Sequence, residues 1–98
     1  MTIDKNLQGD TLTLAVAGRL DTTTAPTLSE ELEASLEGVK ELVLDFNDLD
    51  YISSAGLRVL LSAQKRMNKQ GDMKLIGVND AIMEVFEVTG FADILTIA

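Results

Sequence analysis

Alternation of apolar and polar residues predicts that the chain begins with strands. Every second residue of positions 11–17 is apolar, which is the period of a half-buried strand. These apolar residues are Leu12, Leu14 and Val16. A shorter strand, Ile3–Gln8, precedes them, and only Gly9 and Asp10 lie between the two. So tight a connection predicts an antiparallel hairpin in which Gly9 supplies a positive φ.

A helix and a buried strand are predicted next. Leucines recur at four-residue spacing behind Pro26, a residue that the first turn of a helix tolerates. These are Leu28, Leu32 and Leu36. Gly38 should end this helix. The apolar run Glu41–Phe46 follows, and it is typical of a central parallel strand covered on both faces.

A second helix should begin at Ser53 or Ser54. Beyond these serines, polar residues recur at spacings of three and four, which indicates an exposed helical face. They are Arg58, Ser62, Lys65 and Lys69. The residues left for the core are Val59, Leu60, Ala63 and Met67.

The last third of the chain predicts a strand at Met73–Val78 and a third helix that Asp80 caps and Gly90 ends. The face of this helix that should meet the core holds Ile82, Val85, Phe86 and Thr89. Residues Ile94–Ile97 are expected to add a short final strand. The order β-β-α-β-α-β-α-(β) predicts one α/β domain over residues 1–98. Its sheet should be mixed and mostly parallel, with an N-terminal antiparallel hairpin and with helices packed on the sheet.

The composition excludes several classes of function. The 98 residues include no cysteine and no histidine, so disulfides, thiol catalysis, the usual zinc ligands and the usual general base of hydrolases are all missing. No glycine-rich phosphate loop is present, so no cofactor is expected. A net charge of −8 opposes direct binding to nucleic acid or to an anionic membrane. The N-terminus lacks the pattern of a signal peptide, and we expect a cytoplasmic protein that is not an enzyme.

The charges are unevenly distributed along the chain. Residues 20–39 hold five acidic residues and no basic one, whereas residues 51–71 hold four basic residues and no acidic one. The first helix is therefore acidic and the second basic. The simplest interpretation is that both are solvated faces, with the helix dipole favouring cations late in the second helix.

The two serines at the predicted start of the second helix are the candidate site. A helix N-terminus presents unpaired N–H groups and partial positive charge, so a serine there suits carrying or binding a phosphate. The alternative is that the serine only caps the helix. Ala55 and Gly56 add little bulk, and we expect a partner to approach the hydroxyl closely. Three nearby aspartates do not match a calcium loop and are interpreted as strand-end and turn residues. They are Asp45, Asp48 and Asp50.

The chain resembles STAS domains of the anti-sigma factor antagonist family, bacterial proteins that control sigma factors by partner switching. Four blocks carry the resemblance, and together they span nearly the whole chain: Val16–Asp21, Leu42–Phe46, Tyr51–Leu57 and Val88–Phe91.

The resemblance implies that an anti-sigma factor, itself a serine kinase, phosphorylates Ser54 and that a metal-dependent phosphatase removes the phosphate. Ser53 occupies a position that is often Asp in the family, and it remains a rival acceptor. Asp21 matches a family residue that lies beside the acceptor and contacts the kinase, although a turn aspartate that bonds backbone amides is an equally good interpretation. The implied partner-binding residues are Asp21, Ser53, Ser54, Ala55, Gly56, Leu57 and Arg58.

Two other functions stay open from the sequence. The protein is alternatively a non-catalytic STAS subunit of a transporter or signalling assembly, in which Ser54 merely caps a docking helix. An enzyme that uses Ser54 as nucleophile with a lysine base is disfavoured by the missing histidine.

Overall fold

The computed structural model describes all residues, 1–98, as five strands, three α-helices and one short 3₁₀ turn at Phe91–Asp93. In chain order the elements are β1 (Thr2–Gln8), β2 (Thr11–Leu20), α1 (Ala25–Ser35), β3 (Glu41–Asp45), β4 (Leu49–Ile52), α2 (Ser54–Gln70), β5 (Asp72–Ile76) and α3 (Asp80–Thr89). None of the helices combines the length and the apolar character that crossing a membrane requires.

The sheet is mixed, as predicted, and its main path has the order β1-β2-β3-β5. β1 and β2 form the antiparallel hairpin, and Gly9 has a φ of 63° in its turn. β3 lies between β2 and β5 and is parallel to both, which confirms that it is the central strand. The prediction of an α/β domain with one antiparallel hairpin is therefore confirmed.

One cluster of 23 buried residues forms the core between the sheet and the helices. The alternate residues of β2 that were predicted to point inward are at most 1% exposed: Leu12, Leu14 and Val16. All three helices contribute to the same cluster, among others through Leu32, Leu60 and Phe86. On the opposite face of the sheet, Val43 is buried outside this cluster, in register with Thr13 and Lys74. The helices therefore pack on the other face of β3, which carries Leu42 and Leu44, while Val43 on the opposite face is buried as well.

β4 is absent from the predicted order, and this is the main error in the predicted fold. Asp50, interpreted as a strand-end or turn residue, lies inside the strand. β4 pairs in parallel with the second half of β2, beyond the last residue of β2 that pairs with β3. The register shifts between Gly18 and Arg19, so β2 has two successive parallel partners on that side. β4 therefore places the start of α2 beside the carboxyl end of β2.

Two further predictions need correction near the C-terminus. Asn79, not Asp80, caps α3, because the Asn79 side chain accepts a hydrogen bond of 2.9 Å from the N–H of Ile82. In place of the predicted strand Ile94–Ile97, the structure has a single parallel bridge between Leu75 and Ile97. The 3₁₀ turn Phe91–Asp93 directly precedes this segment.

Candidate functional site

Parallel pairing of β2 with β4 sets the position of the candidate site. Leu20 and Ile52 are partners at the carboxyl ends of the two strands, and the N–H of Ser53 donates to the Leu20 carbonyl over 2.9 Å. Asp21 directly follows β2, and the start of α2 directly follows β4, so the two lie next to each other. The structure thus brings together the two chain segments that the sequence singled out.

The two serines differ sharply in environment. Ser53 is the N-cap of α2 in extended conformation (φ −102°, ψ 177°), yet its side chain makes no capping hydrogen bond. Its Oγ is buried and has no hydrogen-bond partner. Ser54 is the first residue of α2 and is exposed. The interpretation of Ser54 as a helix cap is therefore wrong, since the capping position belongs to its neighbour.

Asp21 organises the turn between β2 and α1. Its Oδ1 accepts hydrogen bonds from the N–H of Thr23 over 3.0 Å, from the Thr23 hydroxyl over 2.7 Å and from the N–H of Thr24 over 3.1 Å. These bonds, the Thr23 hydroxyl above all, outweigh desolvation and lower the pKa of Asp21 to about 2. The interpretation as a turn aspartate is confirmed, and the side chain is charged at neutral pH.

The second oxygen of Asp21 faces a surface patch that the sequence did not reveal. Asp21 Oδ2 lies 3.7 Å from Nε of Arg19, and the Arg19 guanidinium lies 4.1 Å from the centre of the Tyr51 ring. Arg19 and Tyr51 are register partners in β2 and β4. The sequence does not predict this contact, because it depends on the pairing of β4 with β2. A cation, an aromatic ring and a carboxylate therefore lie together beside the start of α2.

Gly56 has a different structural role from the one expected. It is buried, and a Cβ added to it would lie 2.8 Å from Cγ1 of Ile52 and 2.8 Å from Cγ of Leu20. Leu57, also named as a partner contact, is only 6% exposed. The small residue thus lets α2 approach the protein's own strands, and the idea that Gly56 leaves room for a partner is wrong.

The remaining residues of this segment reach the surface. Ala55 is half-buried and Arg58 is exposed. Both line a shallow groove between the N-terminal halves of α1 and α2, whose other residues include Thr22, Pro26 and Ser62. The exposed part of the candidate site is therefore Ser54 and Arg58, with this groove on one side. No three side chains of the types that bind metals converge to hold an ion.

Comparison with known proteins agrees with this arrangement. The family model described as "STAS domain" matches residues 2–98. The anti-sigma-B factor antagonist of Listeria monocytogenes is 36% identical over 97 residues, which cover 95% of this chain and 83% of that protein. The anti-sigma-B factor antagonist of Bacillus subtilis is 30% identical over 97 residues, which cover 98% of this chain and 89% of that protein.

Solved structures share the fold. The anti-sigma factor antagonist SpoIIAA in its unphosphorylated form superposes with a TM-score of 0.78 at 15% identity, covering 99% of this chain and 87% of that one. The phosphorylated form of the Bacillus cell fate determinant SpoIIAA gives 0.77 at 16% identity, covering 99% and 91%. With the match over residues 2–98 and the identity to the Listeria protein, the chain belongs to the STAS domain family, among the anti-sigma factor antagonists.

Proposed function

We propose that this protein is an anti-sigma factor antagonist that switches partners according to the phosphorylation of Ser54. In the unphosphorylated state it binds an anti-sigma factor kinase, and the kinase then releases its sigma factor. The observation that carries the proposal is the exposed Ser54 at the first position of α2, in a chain 36% identical to a named antagonist. The switch would operate in the bacterial cytoplasm, where sigma factors act.

Ser54 is the better acceptor of the two serines on accessibility. A kinase must bring the γ-phosphate of ATP in line with the attacking hydroxyl. The buried Oγ of Ser53 offers no such approach, whereas Ser54 is exposed. Asp21, held in its turn at the neighbouring strand end, is proposed as a kinase contact through its outer oxygen. Arg58 is proposed as another.

The phosphoryl transfer itself uses groups of the kinase. The Ser54 oxygen forms a bond to the γ-phosphorus while the bond from that phosphorus to the bridging oxygen of ADP breaks. The hydroxyl proton passes to a base on the kinase, which also holds ATP and magnesium. A metal-dependent phosphatase reverses the state by hydrolysis, returning inorganic phosphate and the serine. The protein is a substrate and a ligand in this cycle.

Phosphorylation should weaken kinase binding through charge. A phosphoserine adds about −1.5 to −2 charge at neutral pH. At the first position of a helix the backbone dipole tolerates that charge, so the fold itself is not threatened. Against a kinase surface that offers it no matching cation, the same charge is expensive to bury and should reduce affinity by several kcal/mol.

A displacement experiment tests the proposal. The purified kinase with bound sigma factor is titrated with unphosphorylated protein, with phosphorylated protein and with the Ser54→Ala variant. We expect the unphosphorylated protein and Ser54→Ala to release the sigma factor, and the phosphorylated protein to release it at least about tenfold less effectively, which corresponds to 1.4 kcal/mol. Ser53→Ala is the matched control and should behave as wild type in both states.

Two outcomes would contradict the proposal. One is equal displacement by the phosphorylated and unphosphorylated proteins. The other is stable copurification with a membrane transporter and no binding to the kinase, as expected for a transporter subunit.

A further inference from the structure

The exposed side of α2 forms one continuous row that starts at the proposed acceptor. Its members recur at spacings of four and three residues, so they share one face of the helix, and each is exposed. We call them the α2 face: Ser54, Arg58, Ser62, Lys65 and Lys69. At 1.5 Å per residue this row extends about 22 Å along the helix axis. A row of this length can be covered by the surface of a single partner protein.

The α2 face is basic, and none of its cations is paired within the protein. The structure contains two ion pairs, Lys5 with Glu31 and Arg19 with Asp21. Neither involves α2. The helix carries no acidic residue at all, although the chain has 16. The acidic helix α1 packs beside α2, but none of its carboxylates lies within 4.0 Å of a cation of the α2 face. The cations of the α2 face are therefore free to meet a partner.

Helix stability does not account for this pattern. The macrodipole favours Lys69 in the last turn, but it disfavours Arg58, which lies near the N-terminus. Lys65 and Lys69 are like charges four residues apart, an arrangement that destabilises a helix. Acidic residues among these positions would have formed stabilising pairs. The charges are better explained by something outside the chain.

We infer that the α2 face is the docking surface for an acidic face of the anti-sigma factor kinase. This inference rests on the proposed function, because Ser54 lies at one end of the row and a kinase aligned on the lysines would have its active site at that end. Nucleic acid is a poorer match, since its phosphates form a continuous polyanion that would also meet the acidic parts of a domain of net charge −8, whereas a protein can confine its acidic residues to the area that meets the α2 face. The same geometry explains how the switch opposes binding. A phosphate on Ser54 lies one turn from Arg58, neutralises that end of the face and repels an acidic partner.

Charge-matched variants test the inference. Lys65→Gln with Lys69→Gln removes two charges from the α2 face, far from Ser54. The control, Lys5→Gln with Lys74→Gln, removes two charges from β1 and β5. Each double variant has a net charge of −10, from −8 minus 2. The α2 double variant should fold because Lys65 and Lys69 are exposed. The control should fold because the ion pair of Lys5 with Glu31 lies at the surface and contributes little to stability. Lys74 is half-buried, and glutamine is a shorter, uncharged replacement for it.

The association rate with the kinase and the kinetics of Ser54 phosphorylation are measured at several salt concentrations. We expect the α2 double variant to associate about tenfold more slowly at low salt and to have a raised KM with an unchanged kcat. The defect should shrink as salt rises, because screening weakens the attraction in wild type as well. The control should stay close to wild type.

Three results would overturn the inference. The first is equal behaviour of the two double variants. The second is an association rate for wild type that does not depend on salt. The third is dimerisation of wild type through the α2 face, detected by sedimentation and abolished only by the α2 double variant, with kinase binding unchanged. Failure of the proposed function is distinguishable, since wild type itself would then neither bind the kinase nor accept phosphate.

Discussion

Replacing Gly56 by alanine tests how closely α2 packs on the sheet. The new Cβ would lie 2.8 Å from Cγ1 of Ile52, 2.8 Å from Cγ of Leu20 and 3.1 Å from Cδ2 of Leu20. Leu20 is fully buried and Ile52 is 5% exposed, so neither side chain has free space to move into. Overpacking of this kind typically costs about 1–3 kcal/mol.

Helix propensity acts in the opposite direction. Alanine is better than glycine inside a helix by about 1 kcal/mol. The sum of the two effects is a net loss of about 1 kcal/mol for Gly56→Ala. In a domain of this size, each kcal/mol lowers the melting temperature by roughly 4–8 °C. A larger residue such as leucine should destabilise considerably more.

The assay is urea unfolding, with a matched pair of variants at an exposed position of the same helix. Ser62→Ala and Ser62→Gly differ by the propensity effect alone, because Ser62 is exposed. We expect alanine to be the more stable of the two at position 62 and glycine to be the more stable at position 56. If alanine stabilises both positions equally, the packing argument is refuted. If Gly56→Ala loses kinase binding with no loss of stability, close approach of the partner becomes the better explanation.

Three other predictions concern the elements around the site. Asn79→Ala should lose about 1–2 kcal/mol of stability in urea unfolding, because Asn79 caps α3 and also donates to the Leu49 carbonyl over 2.9 Å, whereas Asp80→Ala should change little. Asp21→Asn should remove a pH-dependent contribution to the free energy of unfolding, because the folded pKa of Asp21 is about 2 against an ordinary 3.8. Wild type should therefore be more stable than the variant above about pH 4 and lose this difference as pH falls through 2. Equal acid-unfolding profiles of the two proteins would contradict the prediction. Phosphorylated and unphosphorylated protein should have nearly the same circular dichroism and melting temperature, with amide shifts confined to Ser53–Leu57 and their neighbours; shifts spread through β3 and α3 would indicate a conformational switch instead.

Much of the fold could be predicted because its longer elements show their own periods. β2 alternates over a half-buried surface, and the leucines of α1 recur once per turn, so both patterns appear in sequence. β4 has only four residues, with Leu49 and Ile52 buried and two exposed residues between them. Buried residues three apart fit a helix better than a strand, in which they alternate, so the local pattern does not indicate β4. Its existence depends on pairing with the end of β2, which no local pattern records.

The candidate site could be predicted in part, for the same reason. The segment Ser53–Ser54 and the turn at Asp21 are encoded locally, by the start of a helix and by hydroxyl and amide donors two and three residues away. The resemblance favoured Ser54 over Ser53, but the physical reason for that preference, a buried hydroxyl beside an exposed one, could be found only in the structure. The contact of Arg19 with Tyr51 required the register of β4. The reason for Gly56 required knowing that two core side chains lie against it.

The most direct test of the partner-switching account is phosphate mapping by mass spectrometry after incubation with the cognate anti-sigma factor kinase and Mg-ATP. We predict a single phosphoryl group on the intact wild-type protein, located on Ser54 by peptide fragmentation, and no gain in mass for Ser54→Ala. Ser53→Ala should gain one group as wild type does. An unmodified wild-type protein, or a phosphate located on Ser53, would contradict the account.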